Sequence, residues 1–153
     1  MILHQGTSTH ITKLNRIISS RCLVFMGNDE GVVGYGYGKD IGFAEALEMA
    51  IEDSVKNMIA IPIDEQITFL HSMHTHYNGY NIRLYARPKL GFNSWGNPLV
   101  TNLLLRTGIR DVMFKTMVRN VNPYSMIYAY FKIITRSQTI KDYCEKTGRK
   151  VYS

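Results

Sequence analysis

The chain has 153 residues, two cysteines and a formal net charge of +6. This length suffices for one domain or two small ones, so no disulfide or metal is needed to explain a fold. Cys22 and Cys144 show no CxxC spacing, which excludes a zinc or redox motif, and a reducing compartment is the default. No run of about 18 apolar residues occurs, so the sequence predicts no membrane span.

The positive charge is concentrated in the second half of the chain. Residues 1–65 carry five Lys/Arg and nine Asp/Glu, whereas residues 66–153 carry thirteen and three. Aromatic side chains lie among these cations and offer stacking and cation–π surfaces for nucleobases. The second half therefore predicts a polyanion-binding surface, with a merely soluble basic surface as the alternative.

The first part of the chain is predicted as a β-hairpin followed by one helix. Residues 10–26 alternate and then become apolar, residues 27–31 carry a turn signal, and residues 32–37 return as the second strand. From Gly42 the apolar period changes to 3.6, which predicts an amphipathic helix. Its apolar face comprises Phe43, Leu47, Ala50, Ile51, Ser54 and Met58, and its acidic face comprises Glu45, Glu48, Glu52 and Asp53.

The second part is predicted to mix strands and helices. Strands are expected at 67–75 and 80–87, with a turn at Asn78-Gly79, and at 109–117 after a helix stop at Gly108. Asn97-Pro98 and Asn122-Pro123 each predict a helix start, because Asn caps a helix and Pro suits its first position. A short helix is expected within 138–153. The predicted buried stripes are Leu99, Val100, Leu103 and Leu104, then Met126, Ile127, Tyr130, Phe131 and Ile134.

Residues 31–40 form a glycine-rich run that invites comparison with a phosphate loop. The spacing fails, because position 33 is Val and Asp40 stands where a Mg²⁺-binding hydroxyl is needed. The third glycine of a dinucleotide fingerprint is also missing. The run instead predicts a strand that another backbone or a phosphodiester approaches closely.

The remaining polar clusters predict no enzyme. His71, His74 and His76 lack a convergent Cys or carboxylate, so structural or RNA-facing histidines are favoured over metal ligands. No Ser/His/Asp or paired-carboxylate arrangement is selected by its spacing. We therefore expect no catalytic residues, no metal and no cofactor.

Two stretches resemble the bacterial type of the ribosomal protein S-five family. The first is Leu23–Lys39, LVFMGNDEGVVGYGYGK, followed by residues 45–47 and 57–59. The second is residues 108–112, GIRDV, with Lys115-Thr116 and then Asn122-Pro123. The resemblance extends in order over about residues 10–135.

The resemblance implies an α+β fold and a structural role. The expected domains are a double-stranded-RNA-binding-like unit at 1–65, an S-five C-terminal-type βαβ domain with a left-handed crossover at 66–136, and a basic tail at 137–153. Family members bind small-subunit rRNA, contact the S-four and S-eight proteins, lie where mRNA enters, and catalyse no reaction.

The resemblance also implies roles for individual residues. Lys13 and Arg16 match cations of a loop that reaches rRNA, although two glycines between them are Leu14 and Asn15 here. In the segment facing S-four, the family arginine is Thr101, and the predicted protein-interface residues are Asn97, Thr101 and Arg106. The predicted rRNA-binding residues are Lys13, Arg16, Arg21, Lys39, Arg83, Arg87, Lys89, Arg110, Lys115 and Arg119.

The acidic first helix departs from the family, whose members place Lys and Arg there. Because carboxylates repel phosphates, by about 1 kcal/mol for a close pair in water, we expect this helix to face protein or solvent. Organellar ribosomes often replace RNA contacts with protein contacts, so a mitochondrial ribosome is predicted, with a plastid as alternative. Organelle-specific ribosomal proteins are expected to cover this helix. The rival functions are a double-stranded-RNA-binding module outside the ribosome and an ATPase, which would need the missing phosphate loop.

Overall fold

The structure is a computed structural model that describes residues 1–63, 69, 71–86, 96–116 and 122–150. Antiparallel sheets combine with helices, which confirms the α+β class. No helix among these residues is long and apolar enough to cross a membrane. The elements are β1 Ile2–Ile11, β2 Arg16–Gly27, β3 Val32–Asp40, α1 Phe43–Lys56, β4 Ile59–Ala60, β5 Met73–Tyr77, β6 Tyr80–Ala86, α2 Pro98–Thr107, β7 Val112–Thr116, α3 Pro123–Ile134 and α4 Ile140–Thr147.

The chain divides into two compact units. The first comprises Met1–Gly27 with Val32–Ile59, and the second comprises Asn28–Gly31 with Ala60–Ser153. One sheet has the order β1-β2-β3-β4 and belongs to the first unit except for Ala60 at the end of β4, and the sheet β5-β6-β7 belongs to the second unit. The predicted domain limits at 65 and 136 stay a prediction.

The sheet of the first unit starts earlier than predicted. The expectation of one strand over 10–26 is wrong at its start, because Ile2–Ile11 forms β1 and pairs antiparallel with β2 around a turn at 12–15. The amide of Thr12 donates to the carbonyl of Asn15 across this turn, at 2.8 Å. β1 is rich in Ser, Thr and His and buries none of its side chains fully, so no apolar alternation marks it in the sequence.

Helix α1 packs directly on the glycines of β3. A Cβ added at Gly34, Gly36 or Gly38 would overlap backbone atoms of α1; at Gly38 it would lie 2.7 Å from the amide nitrogen of Ala50. The glycine run is therefore a strand that another backbone approaches closely. This was one of the two alternatives predicted from the sequence, the other being a close phosphodiester. The buried core between helix and sheet comprises Cys22, Val24, Ala46 and Ala50, with Met26, Phe43 and Leu47 packed against it.

The predicted faces of α1 need correction. Ile51 and Met58 were predicted on the apolar face but are exposed, whereas Ala46, which was not predicted there, is buried. Small side chains are required there because the helix backbone touches the sheet. Glu45, Glu48 and Glu52 are exposed as predicted. Asp53 is half-buried, and its carboxylate accepts a hydrogen bond from the amide of Tyr37 at 3.0 Å.

The sheet of the second unit is antiparallel throughout. Of the first predicted strand, 67–75, residues 67, 68 and 70 lie outside the described residues, and residues 71 and 72 precede β5, which begins at Met73. The Asn78-Gly79 turn to β6 is confirmed, with φ angles of 45° and 81°. β7 begins at Val112, so the predicted start at Ile109 is wrong. Asp111 has a φ of 43°, which a β-strand does not accommodate.

The helices of the second unit follow the predicted signals. The side chains of Asn97 and Asn122 accept hydrogen bonds from the second following amides, at 3.0 and 3.1 Å, and Gly108 ends α2 in the left-handed conformation. The predicted stripe of α3 is buried, and in that of α2 only Leu99 is half-buried. In the core, the Tyr130 hydroxyl is 2.6 Å from that of Thr107, and burial raises the pKa of Tyr130.

A single added methyl group tests the contact between α1 and β3. We expect Gly36→Ala to lower the free energy of unfolding by about 1–3 kcal/mol or more, because the methyl group meets helix backbone that cannot move aside. Gly6→Ala is the matched control, since its methyl group would meet only the imidazole of His4, at 3.0 Å. Urea denaturation of both variants measures the difference, and equal stabilities would contradict the close packing.

Candidate nucleic-acid interface

The outer half of the β1–β2 hairpin, residues 7–20, extends from the sheet and is named here the arm. Every residue from Thr7 to Ile18 except Ser8 is exposed, so the arm contributes little to the core. An isolated two-stranded hairpin is only marginally stable in water. The arm contains Lys13 and Arg16 and no acidic residue. Such an exposed cationic arm is suited to binding a polyanion.

The face of the first sheet that lies opposite α1 carries two aligned cations at the base of the arm. Arg21 of β2 pairs with Gly6 of β1 on one side and with Lys39 of β3 on the other, so the two cationic side chains stand on neighbouring strands directly opposite each other. Opposite positions in a sheet have Cβ atoms roughly 5 Å apart, and like charges there repel.

A shallow groove runs from these cations along the arm, with a volume of about 410 Å³. The hydroxyl oxygens of Ser8 and Ser19 are 2.8 Å apart within it. Hydroxyl groups and cations together match the phosphate and ribose groups of RNA. The lining residues are Ser8, Thr9, His10, Ile17, Ser19, Arg21 and Lys39.

No carboxylate compensates this charge within the part of the chain that the structure describes. Neither Arg21 nor Lys39 forms an ion pair there, and Asp40 pairs with Ser20, one position further, where side chains point to the other face. A bound anion would remove the repulsion between the two cations. The groove therefore favours an anionic ligand on electrostatic grounds.

The second unit carries a similar line of basic side chains on its own sheet, named here the second row. His74 of β5 pairs with Arg83 of β6, which pairs with Lys115 of β7, and all three side chains are exposed. The opposite face is buried and includes Ile82 and Leu84. Three neighbouring strands thus present Arg, Lys and His side chains in one line.

The structure places the other predicted site residues separately. Arg110 is exposed in the connection between α2 and β7. Asn97 caps α2, and the Thr101 hydroxyl donates to the Asn97 carbonyl at 3.1 Å, so both have local structural partners. Arg106 lies 3.9 Å from the carboxylate of Asp29, and both side chains are largely exposed. Arg87, Lys89 and Arg119 lie outside the described residues.

Sequence reasoning missed the polar half of the groove, because Ser8 and His10 belong to β1, which was not predicted. His74 was already interpreted as a structural or RNA-facing histidine, but its place beside Arg83 was not predicted. No three metal-binding side chains converge among the residues described. Cys22 is buried in the core, and this burial raises the pKa of its thiol.

Comparison with known proteins places the arm, the groove and α1 within one matched segment. Residues 1–62 match the family model described as Ribosomal protein S5, N-terminal domain. A small ribosomal subunit protein uS5 of Azorhizobium caulinodans is 28% identical over 150 residues, which cover 98% of this chain and 80% of that relative. The chain is thus similar to uS5 proteins over almost its whole length, which supports a relationship to the uS5 family.

Further uS5 proteins give the same result. The uS5 of Phenylobacterium zucineum is 29% identical over 98% of this chain and 76% of its own length. The uS5 of Rhodospirillum rubrum is 28% identical over 98% of this chain and 74% of its own length. These uS5 relatives are bacterial, and the similarity extends beyond the N-terminal domain into the second unit.

Because Arg21 and Lys39 are opposed like charges, removing one of the two charges should stabilise the protein. We expect Lys39→Gln to raise the free energy of unfolding by roughly 0.2–1 kcal/mol at low salt, because Arg21 then no longer faces a like charge. Lys56→Gln, at the last turn of α1, is the matched control and should lower stability slightly by losing a favourable helix-end charge. Urea denaturation with and without added salt measures both, and a destabilised Lys39→Gln protein would contradict the repulsion.

Proposed function

We propose that the chain is a structural, non-enzymatic protein of a small ribosomal subunit that binds small-subunit rRNA and supports translation. The observation that carries the proposal is the cationic groove on an acid-free arm, within a segment similar to the N-terminal domain of ribosomal protein S5. The relatives are themselves named small ribosomal subunit proteins. In this role the arm and groove neutralise phosphates and hold rRNA in position by shape.

The predicted rRNA-binding set is proposed in two groups. Arg21 and Lys39 at the groove, together with Lys13 and Arg16 on the arm, form the first group. Arg83 and Lys115 on the second sheet form the other, to which we add His74 because it stands in the same row. Arg87, Lys89, Arg110 and Arg119 complete the proposed set.

The acidic face of α1 is proposed to bind protein. Glu45, Glu48 and Glu52 are exposed on it, and phosphates nearby would be repelled. Exposed Ile51 and Val55 lie on the same helix and would add apolar contact area. A basic organelle-specific ribosomal protein fits this combination.

The remaining finer assignments follow the family resemblance. We propose the double-stranded-RNA-binding-like fold for the first unit, and the left-handed βαβ arrangement for the second. The proposed neighbours are the S-four and S-eight proteins, with Asn97, Thr101 and Arg106 on the S-four side and mRNA near its entrance. A mitochondrial ribosome is the proposed compartment, with a plastid as alternative.

A double-stranded-RNA-binding module outside the ribosome is the second candidate. It is favoured by the same cationic groove and disfavoured by the acidic α1. Sedimentation of cell extracts separates the two, because a ribosomal protein should migrate with small subunits and resist moderate salt, whereas a free binder should be washed off steeply.

The groove is tested by the salt dependence of rRNA binding. We expect Lys39→Gln to weaken binding to a small-subunit rRNA transcript and to reduce the slope of log K against log salt by roughly 0.7–0.9, the contribution of one neutralised phosphate. Lys56→Gln should leave affinity and slope unchanged, because Lys56 lies on the acidic helix. Wild-type affinity and slope for Lys39→Gln would exclude the groove as the interface.

The second row is tested by incorporation into subunits. We expect Arg83→Glu combined with Lys115→Glu to reduce the occupancy of the protein in purified small subunits by tenfold or more. The matched control is Lys141→Glu with Lys146→Glu on α4, which makes the same charge change away from the sheet. Quantitative mass spectrometry measures both, and equal occupancy of the two variants would remove the row from the interface.

A further inference from the structure

Leu14 is the most exposed large apolar side chain among the residues that the structure describes, with 94% of its surface accessible. It stands at the tip of the arm, and Ile11, three positions earlier, is 75% exposed. We propose that this tip is an apolar wedge that inserts between RNA bases, with Leu14 as the leading side chain. The inference rests on the rRNA-binding function proposed above and assigns a second, non-ionic mode of contact to it.

The tip is held in a fixed conformation by its own hydrogen bonds. The amide of Thr12 donates to the carbonyl of Asn15 at 2.8 Å, and the Asn15 amide donates back to the Thr12 hydroxyl oxygen at 3.1 Å. A turn that is already hydrogen-bonded loses less conformational entropy when it binds. Leu14 is thus presented on an ordered turn before contact.

The charges around the tip select a nucleic acid over an apolar protein pocket. Lys13 precedes Leu14, and Arg16 follows two positions later, opposite Ile11 in the strand register. The arm has no acidic residue. Phosphates on either side of a base step would meet these cations, as the side chain enters between the bases.

The remaining aliphatic residues of the arm are exposed on both of its faces. Ile17 and Ile18 are each 49% exposed and stand opposite His10 and Thr9. Ile11 and Ile18 therefore share one face, and Ile17 lies on the other. Bases on either side of the arm would find an aliphatic side chain to contact.

The proposed ligand is a base step whose stacking is already weakened. Separating stacked bases costs a few kcal/mol per step, and this cost is smaller beside a bulge or an internal loop. One leucine has limited apolar area to offset it. The wedge should therefore prefer bulged RNA over a perfect duplex.

Binding of the full chain to two short RNA duplexes tests the wedge, one perfect and one with a bulge flanked by 2-aminopurine. We expect the wild type to prefer the bulged duplex and to raise the 2-aminopurine fluorescence on binding. Leu14→Ala should weaken binding to the bulged duplex by about tenfold, because it removes buried methyl and methylene groups, and should leave the salt slope unchanged. Lys13→Gln should reduce the slope instead.

Two further variants exclude a general loss of apolar surface. Ile41→Ala removes a side chain that is 79% exposed at the base of the arm, beside Ser20 and not at the tip, and it should bind like the wild type. Leu14→Met conserves the volume and should restore the affinity and the fluorescence change.

The outcomes separate the wedge from the proposed function. If Leu14→Ala binds both duplexes and rRNA like the wild type, the wedge is wrong and rRNA binding stands. If Leu14→Ala binds RNA normally but is lost from small subunits, the tip binds a protein and the wedge is also wrong. If the wild type binds no rRNA at all, the proposed function itself fails.

Discussion

The backbone of α1 rests on the glycines of β3, and the arrangement of the first unit depends on this contact. Glycine at positions 34, 36 and 38 lets Ala46, Ala50 and Ser54 approach without a Cβ between helix and strand. One face of the sheet is thereby closed by the helix. The opposite face and the arm remain available to a ligand, and they carry Arg21, Lys39 and the tip.

The same contact explains why the sequence imitates a phosphate loop. A loop that cradles phosphate needs glycines because backbone amides must face the ligand. In β3 the glycines are needed because a helix backbone faces the strand, and their amides belong to a sheet. The spacing of the glycines, every second residue, suits a strand with one closely covered face and does not suit a phosphate loop.

The elements marked by local signals were predicted well from the sequence. The Asn-Pro helix starts, the Asn78-Gly79 turn and the buried stripe of α3 each depend on neighbouring residues only, and the structure confirms them. β1 was missed because it buries almost no apolar side chain. The inner face of α1 was misread at Ile51 because the close contact with β3 favours small residues over large ones.

The candidate site was predictable only in part, for a different reason. Arg21, Lys39, Arg83 and Lys115 could be named from charge and resemblance. Their alignment in rows could not, because the register between strands depends on pairing across the sheet. Only the register shows that like charges stand opposite each other on neighbouring strands. We expect such an arrangement to lower stability in the free protein and to favour a state with an anion bound.

We propose that RNA contacts the arm and the open sheet face, and that α1 turns its acidic side away from RNA. A cryo-electron microscopy map of the assembled small subunit tests this most directly. We expect phosphate oxygens within about 4 Å of the Arg21 and Lys39 side chains, with Glu48 and Glu52 against protein or solvent. An arm surrounded by solvent, with α1 lying along the sugar–phosphate backbone, would contradict it.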